Sequence, residues 1–327
     1  MPKRLPALSS LQALFQRGRG GQLPAAMRPE EKFVLCRPRG GLNDTLCQIE
    51  KCWKYAESFS RTLIIDSTRS GLLDDFSTFF RPRDGDARVH FSLSAAQLQL
   101  LNTLTCQPPV LQGKLHAYQP AYSRRAGNYL DKKSASRLCF DLDRTHEEAV
   151  LLHEQCGGGT DSFALFDRLC LADNILPLVL ERLRPLGRDY AAIHVRNTDY
   201  KTEYEGLFRE IYPRVANRPL LVCSDDAAVI AHAGIFFGQS KILTTRTSAH
   251  SGDRPLHFKY KKRGSDEQRR EAAIDTIVDL IALGRADELY FANVTAGFPS
   301  GFSVLAEYLC GHKHVIAALL QADGEPR

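Results

Sequence analysis

The sequence predicts an α/β protein with two doubly wound halves and a cleft between them. Three observations lead there. Short apolar runs such as "KFVLC" (32–36), "TLIID" (62–66), "YAAIHV" (190–195) and "PLLVCSDD" (219–226) have the length of buried strands. They alternate with stretches whose apolar residues recur at helical spacing, and that alternation makes a mostly parallel sheet. The series also starts twice, with glycine-rich "CGGGT" (156–160) lying between the two runs.

The elements follow in order. Residues 1–28 read as a flexible basic tail, 29–184 as the first half and 185–327 as the second. After "KFVLC", bounded by "RPRGG", Leu42, Leu46, Ile49, Trp53 and Ala56 fall on one helical face. "TLIID" is the next strand, and "ARVHFSL" (87–93), "RLCFDL" (137–142) and "EAVLLH" (148–153) are expected to follow. Ala164 to Leu183 reads as helical, with Pro177 marking a start or a kink. The second series runs from "YAAIHV" through "PLLVCSDD", a helix from Ala227, and "SKILTT" (240–245). It ends with the helix "REAAIDTIVDLIALGRA" (270–286), the strand "ELYFA" (288–292) and the helix "FSVLAEYLCG" (302–311), which Gly311 can cap.

Composition narrows the function classes. With 43% hydrophobic and 25% charged residues the chain reads as soluble and globular. No apolar run approaches the roughly 20 residues that span a bilayer. The basic start lacks the continuous apolar core of a secretory signal, so a cytoplasmic protein is expected, with peripheral membrane contact through that basic start as a variant. Lys3, Arg4, Arg17 and Arg19 supply most of the net charge of +5, which leaves the rest near neutral and argues against a nucleic-acid partner. The 9 cysteines form no CxxC pair, so no zinc-ribbon spacing exists, and reduced buried thiols fit best.

Four stretches can carry chemistry, and each has a plain structural reading beside the functional one. In "RPRGGLNDTLCQ" (37–48), Gly41 and Asn43 lie between a strand and a helix start. Backbone N–H groups there can face a phosphate or sugar, or the glycines simply turn the chain and Asn43 caps the helix. In "YAAIHVRNTDYKTEY", His194 and Arg196 share one side of a strand by its period of two. Arg196 can bind a diphosphate bidentately, or it pairs with Asp199. In "VCSDDAAVI", Asp225 can accept from the N1–H and exocyclic amine of guanine, or the two acids only cap a helix. In "VTAGFPSGFSVLAEYL", Ser300, Gly301, Phe302 and Ser303 can hold a phosphate at a helix N-terminus, or form a Ser cap with a Gly turn.

Taken in this order, the four stretches resemble the GDP-fucose-dependent fucosyltransferase superfamily: NodZ-like and α1,6-, α1,2- and protein O-fucosyltransferases. "HVRNTDYKTEY" is similar to its HVR-R-T-D-K segment, and "VCSDDAAVI" to its T-D-D segment. "VDLIALGRAD" running into "FPSGFSVLAEYL" resembles its acidic helix and Ser-rich phosphate loop, with Asp279 and Asp287 at matching spacing. The likeness covers about residues 32–60 and 188–312. It implies a GT-B-like fold of two Rossmann-like domains, the first on the acceptor side and the second holding the GDP-sugar. It implies inverting, metal-independent transfer of fucose from GDP-fucose, with no cofactor beyond that donor, to a glycan, glycolipid or protein hydroxyl. By the resemblance, Arg196 stabilises departing GDP and His194 contacts the diphosphate. Asp225 reads guanine, Ser300, Gly301, Phe302 and Ser303 hold the phosphates, and Gly41 and Asn43 line the cleft. The family's second Arg is Asn197 here and its Lys is Tyr200. A one-residue slip offers Lys201 as the cation and Glu203 as general base, with Glu205 as the second choice.

Two other classes stand against this reading. One is a GDP-sugar or glycan-binding protein without catalysis. The other is a nicotinamide-dependent oxidoreductase using "RGGLND" and Asp66, but it lacks GxGxxG spacing and leaves the HVR segment unexplained. The basic run Lys259, Lys261, Lys262, Arg263, Arg269 and Arg270 reads as a solvated loop and helix start, or as a loop closing over the donor.

Overall fold

The structure, a computed structural model, describes residues 31–199, 201–238, 242–245, 264–293 and 299–321. The tail, Tyr200 and Lys259 to Arg263 lie outside these, as do Ser240 and Lys241 at the start of "SKILTT".

Two parallel sheets carry the fold. The first contains β1 (Phe33–Cys36), β2 (Thr62–Ile65), β4 (Val89–His90), β5 (Cys106–Gln107) and β8 (Val150–His153), in the order β4-β2-β1-β8-β5. The second contains β10 (Ala191–Val195), β11 (Leu220–Ser224), β12 (Ile242–Leu243) and β13 (Glu288–Phe291), in the order β12-β11-β10-β13. In each sheet the first strand is internal. The chain winds outward from it on one side, through β2 and β4 or β11 and β12, and then crosses to the other, entering at the edge strand β5 before β8 in the first sheet and directly at β13 in the second. That makes β1 and β10 the switch points, where open α/β sheets hold ligands beyond the strand ends.

Side-chain alternation sorts the core into three layers. On β1, Val34 and Cys36 face a central apolar cluster, while Phe33 and Leu35 face an outer one. On β10, Ala192 joins the same central cluster, and Ala191, Ile193 and Val195 join a second outer one. Between the sheets lie α1 (Leu42–Ser58), α7 (Asp266–Arg285), α8 (Gly301–Gly311) and α9 (Lys313–Leu319), whose buried Leu46, Ile277, Leu305 and Ile316 fill that cluster. One core therefore bridges both halves. Phe163 of α3 (Asp161–Leu165) stacks flat on Tyr308 of α8 at 4.0 Å across the same seam.

Several sequence expectations need correction. "RLCFDL" is not a strand: only Arg137 bridges, to Leu130, although Leu138 and Phe140 are buried. Its apolar side chains plug two clusters from irregular backbone, so burial there requires no ladder. "ARVHFSL" shrinks to the two residues of β4. The helix expected over 164–183 is broken into α3, the strand β9 (Leu169–Leu171) and α4 (Leu176–Leu183). β9 pairs antiparallel with β3 (Phe80–Pro82), a tertiary partner that local spacing does not reveal, and Pro177 sits in the first turn of α4. Unforeseen elements are α2 (Ala95–Thr103), the hairpin β6 (Pro120–Ser123) and β7 (Asn128–Asp131), and α5 (Tyr204–Val215). The helix from Ala227 is α6 (Ala227–Phe237). Among the described residues no helix is long and apolar enough to cross a membrane.

Candidate functional site

A cavity of about 150 Å³ opens between the C-terminal ends of β1 and β10. It gathers residues from all four sequence stretches: Gly41 and Asn43, His194 and Arg196, Asp225, and Gly301 and Phe302.

The wall from the first half is a tight turn. Gly40 adopts φ +93, a left-handed conformation that glycine takes without strain. Asp44 Oδ2 then accepts from Gly41 N at 3.1 Å and starts α1. The loop after β2 lies flat on this turn. A Cβ on its Gly71 would stand 2.8 Å from Gly40 O, so only glycine permits that approach.

Asn43 is buried and its amide is occupied. Nδ2 donates to Gly159 O at 3.2 Å, and Oδ1 accepts from Ser162 Oγ at 2.6 Å. Gln48 Nε2 donates to Gly157 O at 2.6 Å, and Gly157 N donates to Asp44 Oδ1 at 3.0 Å. The "CGGGT" stretch is thus bolted along the start of α1, at the edge of the cavity.

The second half supplies charge and helix ends. His194, on the same side of β10 as Ala192, is buried, and its Nδ1 lies 2.7 Å from Ser303 Oγ. Ser300 caps α8, accepting from Ser303 N at 3.1 Å, and its hydroxyl lies 2.9 Å from that of Ser303. Both serine hydroxyls therefore sit just behind the cavity wall. Gly301 and Phe302 form the first turn, where backbone N–H groups have no intrahelical acceptor. The N-termini of α1 and α8 converge here, and each carries a fractional positive charge.

Arg196 is 26% exposed and bonds Asp199 bidentately at 2.8 and 2.7 Å. This is the pairing that the plain structural reading expects, and it leaves the guanidinium edge in the cavity wall. Asp225 holds the loop after β10, accepting from Asn197 N at 2.8 Å and Thr198 Oγ1 at 2.5 Å. Asp226 caps α6 through Ala228 N at 2.9 Å. Lys201, Glu203 and Glu205 are exposed and do not line the cavity. Glu203 is the residue just before α5, Glu205 pairs with Arg209 at 3.4 Å, and Lys201 Nζ donates to Asn197 O at 2.7 Å.

One wall was not among the candidate site residues, although the sequence singled out Asp279 by its spacing and Arg269 within the basic run. Arg269, Ala272, Ala273, Thr276 and Asp279 all line the cavity from α7. Their spacing of three and four is the signal, since such residues share one helical face. Arg269 bonds Asp266 and Gly264 O. Asp279 is buried and accepts from Thr245. Arg270 donates to Asp74 at 2.9 Å, tying α7 to the loop after β2. Arginines thus stand on two different elements of the wall, while Asp44, Asp225 and Asp279 are each engaged by protein donors.

No protein-family profile matches the chain, and no curated protein matches it. Solved structures do. NodZ alpha-1,6-fucosyltransferase co-crystallized with GDP aligns at a TM-score of 0.56 and 17% identity, over 85% of this chain and 92% of that one. Fucosyltransferase NodZ from Bradyrhizobium aligns at 0.57 and 18%, over 85% and 92%. POFUT1 in complex with GDP-fucose aligns at 0.50 and 11%, over 87% and 95%. The likeness is one of fold: the fucosyltransferase-like fold that the sequence motifs lead one to expect is the fold of this chain.

Proposed function

We propose that the protein is a glycosyltransferase that moves fucose from GDP-fucose to a hydroxyl of a glycan, glycolipid or protein. The observation that carries the proposal is the convergence of all four sequence stretches on one cavity between two switch-point strands. NodZ structures with GDP and with GDP-fucose support the choice of donor. The two halves, 29–184 and 185–327, serve as the acceptor and donor domains of a GT-B-like enzyme.

In this reading the diphosphate meets Arg196, Arg269 and the N-terminus of α8, with Gly41 and Asn43 opposite. His194, held by Ser303, faces the same phosphates. Asp225 turns toward guanine once the donor offers it N1–H and amine donors. The acceptor oxygen attacks the anomeric carbon from the face opposite GDP, which inverts that centre. The bond from that carbon to the phosphate oxygen breaks, and its electron pair leaves with GDP. Arg196 and Arg269 offset the charge that develops there, the service a divalent cation would otherwise give. The acceptor's proton goes to Glu203, with Glu205 as the second choice.

Calorimetry with GDP, UDP and NAD tests the donor. GDP binding that Arg196→Ala weakens ten- to a hundred-fold, about 1.5–3 kcal/mol, is the expected result, and NAD binding without GDP binding overturns the proposal. Full transfer activity in Glu203→Gln removes the base. A second reading, a GDP-sugar binder without transfer, is favoured by one observation: Glu203 and Glu205 are exposed and outside the cavity lining. Incubation with GDP-fucose, with released GDP and fucosylated product measured by mass spectrometry, separates the two.

A further inference from the structure

The stretch from Ala87 to Phe140 has an uneven charge. Its one acid is Asp131, against Arg88, Lys114, Arg124, Arg125, Lys132, Lys133 and Arg137. Asp131 is buried and spent, accepting from Gln119 N at 3.1 Å and from Ser134 N and Oγ at 3.0 and 2.8 Å. Arg124, Arg125, Lys132 and Lys133 are all exposed. Among the described residues, no carboxylate forms an ion pair with any of the four.

The hairpin of β6 and β7 organises this charge. Its tip carries Arg124 and Arg125, and its base runs into Lys132 and Lys133. A strand of four residues spans about 13 Å, so one compact ion cannot reach both clusters. On one face Tyr122 pairs with Tyr129, rings edge to face at 5.6 Å, and Tyr122 is 55% exposed. Beside the base is a recess of about 240 Å³ lined by Lys114, Lys133, Ser134 and Tyr118.

The hairpin is also aimed. Asn128, next to the tip, exchanges two hydrogen bonds of 2.9 Å with the backbone of Cys156. Cys156 begins the stretch that is bolted to Asn43 and Asp44 in the cavity wall. Tyr129 lies 4.9 Å over the guanidinium of Arg39, at the C-terminal end of the first sheet. The tip therefore stands on the cleft side and the lysine base lies outward.

We propose that this hairpin is the docking surface for an extended anionic saccharide, which enters from the Lys114–Lys133 recess, passes Tyr122 and presents its hydroxyl past Arg124 and Arg125 to the cavity. Spaced cations select a chain with repeated carboxylate or sulfate groups, and an exposed Tyr offers a flat apolar face to a sugar ring. An anionic membrane would meet the same charge. The Tyr122 ring and the recess favour a saccharide. The inference names the acceptor class for the fucosyl transfer proposed above and rests on that reading.

The test uses the full chain and three probes: a short oligogalacturonate, a neutral chitin oligosaccharide, and vesicles containing phosphatidylserine. Calorimetry with GDP is run in parallel on every variant. The expected result is salt-sensitive oligogalacturonate binding that falls about ten-fold in Arg124→Glu/Arg125→Glu and in Lys132→Glu/Lys133→Glu, with GDP affinity unchanged. Tyr122→Ala is expected to weaken oligogalacturonate binding without changing its salt dependence. Equal binding of the neutral probe, no effect of either double charge reversal, or binding of vesicles but not oligogalacturonate overturns the proposal. Wild-type protein that binds oligogalacturonate but not GDP overturns the donor reading instead, and GDP binding with no saccharide binding overturns this one alone.

Discussion

Arg37 and Arg39 follow β1 much as Arg196 follows β10, but the two ends are held in opposite ways. Side chains of Arg37 and Arg39 are 3% and 6% exposed. Arg37 bonds Asp66 at 2.8 Å and Tyr118 at 2.9 Å, and Arg39 bonds Glu154 at 2.6 Å. Those partners lie 29 to 115 residues away in sequence, and Tyr118 closes the set by donating to Glu154. Burial disfavours the charge on Arg37, yet Tyr118 and Asp66 more than offset it and its pKa rises. Arg196 is 26% exposed and pairs with Asp199, three residues away in sequence. A dry, long-range network holds a fold together. A wet, local pair can exchange one anion for another without unfolding anything.

The largest expected effect breaks the dry network. Glu154→Gln leaves Arg39 buried beside a neutral group, at a cost of about 3–5 kcal/mol in unfolding free energy. Urea denaturation measures it. A loss below about 1 kcal/mol means that the network is not structural and the contrast with Arg196 fails.

Acid probes the same half next. Buried His153 sits on β8 with Nε2 2.7 Å from Gln48 Oε1 and Nδ1 without a partner among the described residues. Gln48 Nε2 is already donating to Gly157 O, so its Oε1 accepts and His153 carries its proton on Nε2. Burial first, then the charge of Lys51, holds its pKa down from 6.5 to about 4. The folded state therefore binds fewer protons than the unfolded state between these values. Stability is full above pH 6.5 and falls as pH drops toward 4, by about 1.4 kcal/mol per unit and ~3 kcal/mol in all. His153→Gln is expected to flatten that slope in urea melts across pH. Parallel slopes in the two proteins sink the assignment.

Arg196→Ala sharpens the comparison from the wet side. Its stability is expected within about 1 kcal/mol of the wild type, because the lost ion pair is exposed. GDP affinity is expected to fall ten- to a hundred-fold, about 1.5–3 kcal/mol, the worth of a charged hydrogen-bonding group. Denaturation and calorimetry on one preparation read both. A variant that unfolds easily but still binds GDP reverses the assignment of roles.

The same contrast explains what the sequence reveals. Strands with a period of two announce which residues share a side, so His194 and Arg196 are read correctly as neighbours. Turn glycines announce strand ends, so Gly41 and Gly301 are placed where helices begin. Arg269 is harder, because its role depends on which face α7 turns inward, and a basic run looks like solvent-facing charge until that is known. Between β2 and β8 the strands are only two residues long at β4 and β5, too short for periodicity to register. "RLCFDL" carries the right composition for a strand but lacks a neighbour to pair with along its length. The helix α5 has Phe208, Ile211 and Val215 buried at helical spacing, and Pro213 interrupts the pattern. Site residues fixed by local geometry are legible, whereas those fixed by tertiary contact are not.

The smallest expected effect lies where the two halves touch. A Cβ on Gly301 would come 2.9 Å from Asn43 Nδ2. An amide at the end of a free side chain would simply swing aside. Here it is pinned by Gly159 O and Ser162 Oγ, so Gly301→Ala must displace either that amide or the first turn of α8. We expect a loss of roughly 1 kcal/mol in stability and a few-fold loss in GDP affinity. Asn43→Ser removes the obstructing amide, so the double variant should recover part of the Gly301→Ala loss. A coupling energy of about 0.5 kcal/mol or more in that cycle shows that the seam is one interlocked contact. Strict additivity would mean that the halves meet too loosely there for α1 to set the position of the α8 N-terminus, and that Arg196 and α8 make the anion site without the first half.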